Sequence, residues 1–202
     1  MKNQETVWNS SYLNGLSWKK STKDIKKILY KKSILELGVG NGKTLKPILS
    51  QNPKEVVAID ISEEAIKIAS KSIKSDKVIF LNEDFLKFKT NKKFDVIVCY
   101  YFLNNFRLRE RIDVVTKIKS LLKNNGTILF EDFAKGDFRQ KGKILEKDTI
   151  QKQDGRICHF FEKNELIKLF RDFNNIKVEE KTFSPIRLNR DIKRKILKAT
   201  IK

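Results

Sequence analysis

Three glycines at alternate positions, Gly38, Gly40 and Gly42, follow the strand-like run Ile34-Leu35-Glu36-Leu37, which carries an acid inside it. Glycine has no Cβ, so a turn of this kind lets backbone approach a ligand closely. From Lys43 to Leu49 the spacing is that of an amphipathic helix, whose first N–H groups would face whatever lies in the turn. Strand, glycine turn and helix, in that order, make a site that holds a ligand on main-chain groups. Two acids end or follow later strands. Asp60 closes Val56-Val57-Ala58-Ile59, and Asp84, with Phe85 behind it, follows Val78 to Leu81. In an open α/β sheet a ligand binds at the carboxyl ends of the strands, where both acids fall.

The elements that must carry these residues alternate along the chain. A helix over Lys23 to Tyr30, capped by Ser21 or Thr22, precedes the first strand. Ser62 opens a helix that runs to about Ile73. A fourth strand spans Phe94 to Cys99, and a helix over Arg109 to Leu122 places Ile112, Val115, Ile118 and Leu121 on one face. Asn125-Gly126 reads as a turn before a strand over Thr127 to Phe130. Short connections between strands and helices imply right-handed crossovers and a parallel sheet covered on both faces, an α/β fold. Residues 134–157 are polar without a period and are expected to form a loop or a substrate lid. A helix over Lys163 to Phe173 follows, then two strands exposed on one face, Ile176 to Phe183 and Lys195 to Ile201. One domain over 1–202 is expected, with 1–32 as an N-terminal cap. Trp8 and Tyr12, four residues apart, suit either a lid over the ligand or a helix face packed on the core.

A chain of 202 residues is long enough for one well-buried domain. Its apolar runs are strand-length, and its first residues lack the apolar stretch of a secretory signal, so neither a membrane span nor secretion is expected. Two cysteines, Cys99 and Cys158, and one histidine, His159, are too few and too scattered for a disulfide framework or a metal centre. The expectation is a cytoplasmic protein with no membrane and no metal. A formal charge of +19 invites a nucleic-acid partner. Lysine far outnumbers arginine, however, and Ile and Asn are abundant, as an AT-rich genome produces without selection for a polyanion. Charge alone leaves the two readings level.

The G-x-G-x-G spacing after Glu36 resembles the first motif of the class I S-adenosylmethionine (SAM) methyltransferases more than the G-x-G-x-x-G of nicotinamide enzymes. The resemblance implies a Rossmann-like fold, a mostly parallel seven-stranded sheet with an antiparallel C-terminal strand. It also implies SAM as cofactor. The cofactor site would then comprise Glu36, Gly38, Gly40 and Gly42, Asp60 with Ile61, Asp84 with Phe85, and Cys99. Asp60 would accept from both ribose hydroxyls and Asp84 from the adenine amino group, with the methionine part against the glycine turn. Residues 99–101, in a stretch similar to the family's fourth motif, would pass under the sulfonium. That stretch lacks the D-P-P-Y or N-P-P-Y of amino-directed nucleobase enzymes, and Cys99 lacks the P-C context of cytosine-C5 enzymes. Direct SN2 transfer to a lone pair is the chemistry left. It needs orientation and desolvation more than acid–base help.

A second resemblance is to the tRNA 3-methylcytidine methyltransferases. It rests on Leu129-Phe130-Glu131-Asp132-Phe133, on Gly136-Asp137-Phe138-Arg139-Gln140-Lys141, on Asp154-Gly155-Arg156-Ile157-Cys158-His159-Phe160-Phe161, and on Leu188-Asn189-Arg190. Glu131 stands where that family has arginine, Arg156-Ile157 where it has Thr-Arg, and His159 where tyrosine is usual. The family's basic N-terminal helix is shortened to Trp18-Lys19-Lys20. The resemblance implies methylation of a tRNA base nitrogen. Asp132 and Tyr100 would be catalytic beside the target base, with Tyr101, Arg139, His159, Arg187 and Arg190 as substrate contacts. A small-molecule or protein side-chain acceptor stays open, as does a non-enzymatic scaffold, because a fold does not fix a substrate.

Overall fold

Every residue of β1 (Ser33–Leu37) is buried, the acid Glu36 included. A strand buried at all its positions must be covered on both faces, which places it inside a parallel sheet. The structure, a computed structural model, describes residues 3–16, 25, 28–184 and 192–202. Besides β1, the main sheet contains β2 (Glu55–Asp60), β3 (Val78–Asn82), β4 (Phe94–Tyr100), β5 (Leu122–Phe133), β9 (Ile176–Phe183) and β10 (Arg194–Ile201). Its seven strands run in the order β3-β2-β1-β4-β5-β10-β9. β1 pairs parallel with β2, and β2 with β3. β10 alone is reversed, antiparallel to both β5 and β9. This is the mostly parallel sheet with one antiparallel C-terminal strand.

Five helices accompany the strands among the described residues: α1 (Gln4–Leu13), α2 (Leu45–Leu49), α3 (Glu63–Ser72), α4 (Leu108–Leu121) and α5 (Lys163–Leu169). The helix expected over Lys23 to Tyr30 falls largely outside the described residues, and Ile28 and Leu29 within them are not helical. The segment expected as a loop or lid is instead a second sheet. It is made of β6 (Lys143–Glu146), β7 (Thr149–Gln151) and β8 (Ile157–His159), antiparallel throughout. Strands of three or four residues among polar neighbours are too short to show a period. Ile150, Cys158 and Phe160 nonetheless form a small core with Phe133 packed against it. β5 begins at Leu122, earlier than expected, and the chain turns back on itself between Leu122 and Gly126, residues that a straight strand would hold about 13 Å apart. Gly126 is needed there because a Cβ would stand 2.5 Å from the Leu122 side chain.

The chain divides into two units, Met1–Val98 with Ser120–Gly126, and Cys99–Lys119 with Thr127–Lys202. In the first, Ser62 caps α3 by accepting the Ala65 N–H (3.1 Å), and Glu63 and Glu64 occupy the positive first turn. The Ser62 hydroxyl donates in turn to Asn9 Oδ1 (2.8 Å), which fastens α1 to the start of α3. Tyr12 and Val7 lie in the core beneath α1, and the Trp8 ring sits 6.2 Å from that of Tyr12.

The second unit is held by aromatic packing. Phe130 on β5 meets Phe161 edge-on at 5.5 Å and Phe170 at 6.3 Å, and all three are sealed from solvent. Deleting a buried phenyl costs the transfer energy of the ring plus the cavity it leaves. Phe130→Ala is therefore expected to lower stability by about 3–5 kcal/mol, read from the shift of the urea unfolding midpoint. A loss below about 1 kcal/mol would show that this cluster does not hold the unit together.

Candidate functional site

The glycine turn is pinned to the end of β2. Gly38 and Val39 donate their N–H groups to the Ile59 carbonyl at 2.9 and 3.1 Å. The Gly40 N–H donates to Asp60 Oδ2 and the Ser62 N–H to Asp60 Oδ1, each at 2.9 Å. Gly38, Gly40 and Gly42 have φ of 68°, 55° and 76°, a region in which a side chain is strained. A Cβ on Gly42 would also press on Ala69 and Ile73 at 3.4 Å, so this glycine brings the turn against α3. The helix expected from Lys43 starts only at Leu45 and is 5 residues long.

Glu36 is 3% exposed, and its Oε2 meets no hydrogen-bond donor among the described residues. Burial first, and then the charge of Asp60, push its carboxyl up to about 8. Asp60 itself rises to about 6, because burial outweighs its two N–H donors. A buried acid with an oxygen left over is a receptor for a cationic donor, and the ammonium of a bound amino acid moiety is such a group. The end of β3 is tied to the same place. Asn82 Nδ2 donates to the carbonyls of Asp60 (3.2 Å) and Ile61 (3.0 Å), and the Glu83 N–H to that of Asp60 (3.0 Å). Asp84 Oδ1 accepts the Leu86 N–H at 2.9 Å, and Phe85 is buried behind it. Glu36, Gly38, Gly40, Gly42, Asp60, Ile61 and Asp84 thus belong to three connected strand ends of the first unit.

In the second unit the stretch after β4 is gripped by two consecutive acids of β5. Tyr101 takes a φ of 53°, unusual for a bulky residue. Its N–H donates to the Glu131 carbonyl at 2.7 Å and its hydroxyl to Glu131 Oε1 at 2.6 Å, while Lys198 Nζ lies 2.9 Å from Oε2. Burial and the Glu131 charge push the Tyr101 phenol well above its usual range. Asp132 is fully buried and accepts the Asn104 N–H (3.0 Å), Asn104 Nδ2 (2.6 Å) and the Phe133 N–H (2.9 Å). Burial pushes its carboxyl up to about 7. Asp132 was expected to face the target base; both its oxygens face Asn104 and main chain instead. Tyr100 ends β4 half-buried, and Cys99 is sealed, its thiol pushed well above the usual value by burial.

Two expected substrate contacts are engaged within the fold. His159 is 1% exposed, with Nδ1 2.7 Å from Thr149 Oγ1 and Nε2 3.0 Å from Glu165 Oε2. Both ring nitrogens serve the fold. Arg139 is held by Asp137, its Nε 2.7 Å from Oδ1 and its Nη2 3.0 Å from Oδ2, and its guanidinium stacks 3.9 Å from the Phe133 ring centre. A guanidinium bound bidentately to a buried carboxylate is a poor phosphate grip. Arg187 and Arg190 lie outside the described residues. Asn9 and the contact of Asn104 with Asp132 are not legible in the sequence, since the partners are remote along the chain. The Asp137–Arg139 pair was visible as an acid and a base two residues apart. Among the described residues no cluster of three or more His, Cys, Asp or Glu could hold a metal ion, and no helix is long and apolar enough to cross a membrane.

A positive-φ glycine turn, an acid at the end of β2 and a sheet with one reversed strand define a class I SAM-dependent methyltransferase. The chain belongs to the methyltransferase-domain family, whose model matches residues 16–179. It is 28% identical over 153 residues to a tRNA N(3)-methylcytidine methyltransferase of Schizosaccharomyces pombe, an alignment covering 69% of this chain and 50% of that protein. The chain thus spans about half the length of the curated relatives of this kind that it matches. In fold it resembles a SAM-dependent methyltransferase from Anabaena variabilis (TM-score 0.76, 19% identity, 98% of this chain and 93% of that one). It also resembles the 1,6-didemethyltoxoflavin-N1-methyltransferase of Burkholderia thailandensis (TM-score 0.73, 17% identity, 98% and 87%).

The raised carboxyl of Glu36 has a measurable consequence. Below about pH 4 the acid is neutral both folded and unfolded, so Glu36→Gln should change little. Above that the unfolded chain releases a proton that folded Glu36 keeps up to about pH 8, which favours unfolding. The stability of Glu36→Gln relative to the unsubstituted protein should therefore rise with pH by at most ~1.4 kcal/mol per unit and level off near pH 8. Urea unfolding at four pH values checks it. A difference that stays flat between pH 5 and 8 would mean that Glu36 ionises normally.

Proposed function

We propose that this chain transfers a methyl group from SAM to a ring nitrogen of a tRNA base, of the 3-methylcytidine type. The observation that carries the reading is the 28% identity to a tRNA N(3)-methylcytidine methyltransferase across 69% of the chain. A charge of +19 suits a polyanionic partner. SAM supplies a methyl group on a sulfonium, an electrophile that needs no metal. Glu36 Oε2 would accept from the ammonium of its methionine part, and the glycine turn would lie against the same part. Asp60, with lone pairs beyond those facing Gly40 and Ser62, would accept from the ribose hydroxyls. Asp84 and Phe85 would face the adenine, and Cys99 would line the sulfonium end. Tyr100 and Tyr101 would stand beside the acceptor base. With Arg139 engaged by Asp137, the exposed Lys141 and Lys143 are the nearby groups suited to phosphates.

A small-molecule acceptor is the second reading. It is favoured by the internal engagement of His159 and Arg139, which removes two expected contacts to RNA. Incubation of purified protein with SAM and unmodified tRNA transcripts, followed by nucleoside mass spectrometry, separates the two. One new methylated cytidine supports the tRNA reading. Absence of tRNA binding at low salt, with SAM binding intact, would replace it by the second.

Two outcomes are expected on the way. Asp60→Ala removes the ribose acceptor and the anchor of Gly40 and Ser62, so SAM affinity by calorimetry should fall by about 1–3 kcal/mol in a folded variant. Unchanged affinity would displace Asp60 from the cofactor site. The logarithm of tRNA affinity should fall linearly with the logarithm of salt concentration, and Lys141→Gln with Lys143→Gln should flatten that slope by up to about two. An unaltered slope would take these lysines off the RNA path.

A further inference from the structure

We infer that Glu36 carries a proton in the cofactor-free protein and releases it to solvent as the ammonium of SAM arrives, so that cofactor uptake and proton release are one event. The inference rests on the placement of that ammonium against Glu36 Oε2 proposed above, and every residue it uses belongs to the first unit.

Geometry makes the neutral acid the resting form. Glu36 pairs with Ala58 across β1 and β2. Paired residues share a face of the sheet, and so do residues two apart on one strand. Asp60 therefore stands on the same face as Glu36, two residues nearer the carboxyl end. Its Oδ2 accepts the Gly40 N–H at 2.9 Å, so the glycine turn lies over this face. Glu36 is 3% exposed, and its Oε2 has no partner among the described residues. A carboxylate oxygen with neither water nor a donor is costly, whereas a neutral acid leaves no buried charge to compensate. Burial is the largest influence on this proton and holds it in place, and the charge of Asp60 at the end of β2 adds to it. Lys43, just past the turn, opposes both and does not prevail. Asp60 rises only to about 6 and Glu36 to about 8, so at neutral pH Asp60 is ionised and Glu36 is not.

A cationic donor reverses the balance. An ammonium N–H given to Oε2 supplies the missing hydrogen bond and the opposite charge together. An opposite charge at that range lowers the pKa of a carboxyl by about 1–3. The proton then leaves Glu36 for solvent, and the carboxylate stays behind in an ion pair. Below about pH 8 SAM must displace a proton in order to bind, so its affinity falls as the medium turns acid. Above that the acid is already ionised, and the coupling fades. The effect belongs to the amino acid end of SAM, because a nucleoside without that end has no cation to offer.

The test is calorimetric titration of the full chain with SAM at pH 7, repeated in buffers of different ionisation enthalpy, so that the heats report the protons released. With Glu36 near 8 when free and lowered as above when paired, about 0.4–0.9 proton should leave per SAM bound. Methylthioadenosine, which keeps the adenosine and the sulfur and lacks the amino acid end, should release less than about 0.1. SAM affinity should rise about three- to eightfold from pH 6.5 to 7.5. Glu36→Gln should bind SAM more weakly, release no proton and show a flat affinity over that range. SAM that binds the unsubstituted protein without releasing a proton overturns the inference. Equal release with methylthioadenosine, or release that persists in folded Glu36→Gln, also overturns it, because the proton then comes from another group such as Asp60. In any of these cases, weaker SAM binding by Glu36→Gln at pH 7.5 leaves the ammonium placed at Glu36, and unchanged binding removes that placement too. Should the variant not fold, the two ligands on the unsubstituted protein decide the matter alone.

Discussion

Asp60 accepts one backbone N–H on each carboxylate oxygen, from Gly40 and from Ser62, and this pair of bonds fixes the first unit's working end. The glycine turn hangs from one oxygen and the start of α3 from the other. Ser62 then passes the constraint on, capping α3 with its hydroxyl and donating to Asn9 of α1. A single acid at a strand end thus orders a turn and two helices. Its charge also acts on Glu36, adding to the burial that lifts that carboxyl to about 8. The protein therefore holds Glu36 protonated near neutral pH. A cation delivered to Oε2 would make the ionised form the favoured one, so ligand binding and proton release are coupled at this residue.

The second unit repeats the device with two acids instead of one. Glu131 and Asp132 are consecutive on β5, and successive strand side chains point to opposite faces. Glu131 takes the Tyr101 hydroxyl and Lys198 on one face, and Asp132 takes Asn104 on the other. The stretch from Tyr101 to Asn105 is gripped from both faces of the sheet. A positive φ at a tyrosine costs of order 1–3 kcal/mol, and it persists because the surrounding bonds over-determine it. Strain of that kind marks a place where geometry matters more than stability.

What was legible in the sequence was what is local. β1 and β2 read correctly because continuous apolar runs ended in glycine or an acid, β4 because Val96 to Cys99 is an unbroken apolar run, and the glycine turn fell where its spacing put it. The sheet of β6, β7 and β8 was not legible. Its strands are three or four residues long, and their burial comes from Phe133 and Phe160 outside them. His159 looked like chemistry because it is the sole histidine, yet Thr149 and Glu165 engage both its nitrogens. Arg139 looked like a phosphate ligand because it is basic, and Asp137, two residues before it, was the available warning. The Asn104–Asp132 contact joins residues 28 apart, and no local pattern announces it.

With Arg139 and His159 committed to the fold, the exposed basic side chains of residues 134–157 are all lysines, Lys141, Lys143 and Lys147 among them. Lysine is a mobile point charge that grips phosphate without fixing a plane. Contacts of that kind hold a polyanion and carry no information about its bases. On the proposed tRNA reading, selection of the base would fall to groups that are oriented and sheltered from water. Glu131 and Asp132 each hold a side chain in a fixed orientation, a tyrosine hydroxyl and an asparagine amide, neither of which carries charge. A neutral group held by buried acids keeps its hydrogen-bond direction at any salt concentration, whereas attraction to a lysine surface weakens as salt rises. On that reading affinity and base choice would be carried by different residues and would respond to different conditions.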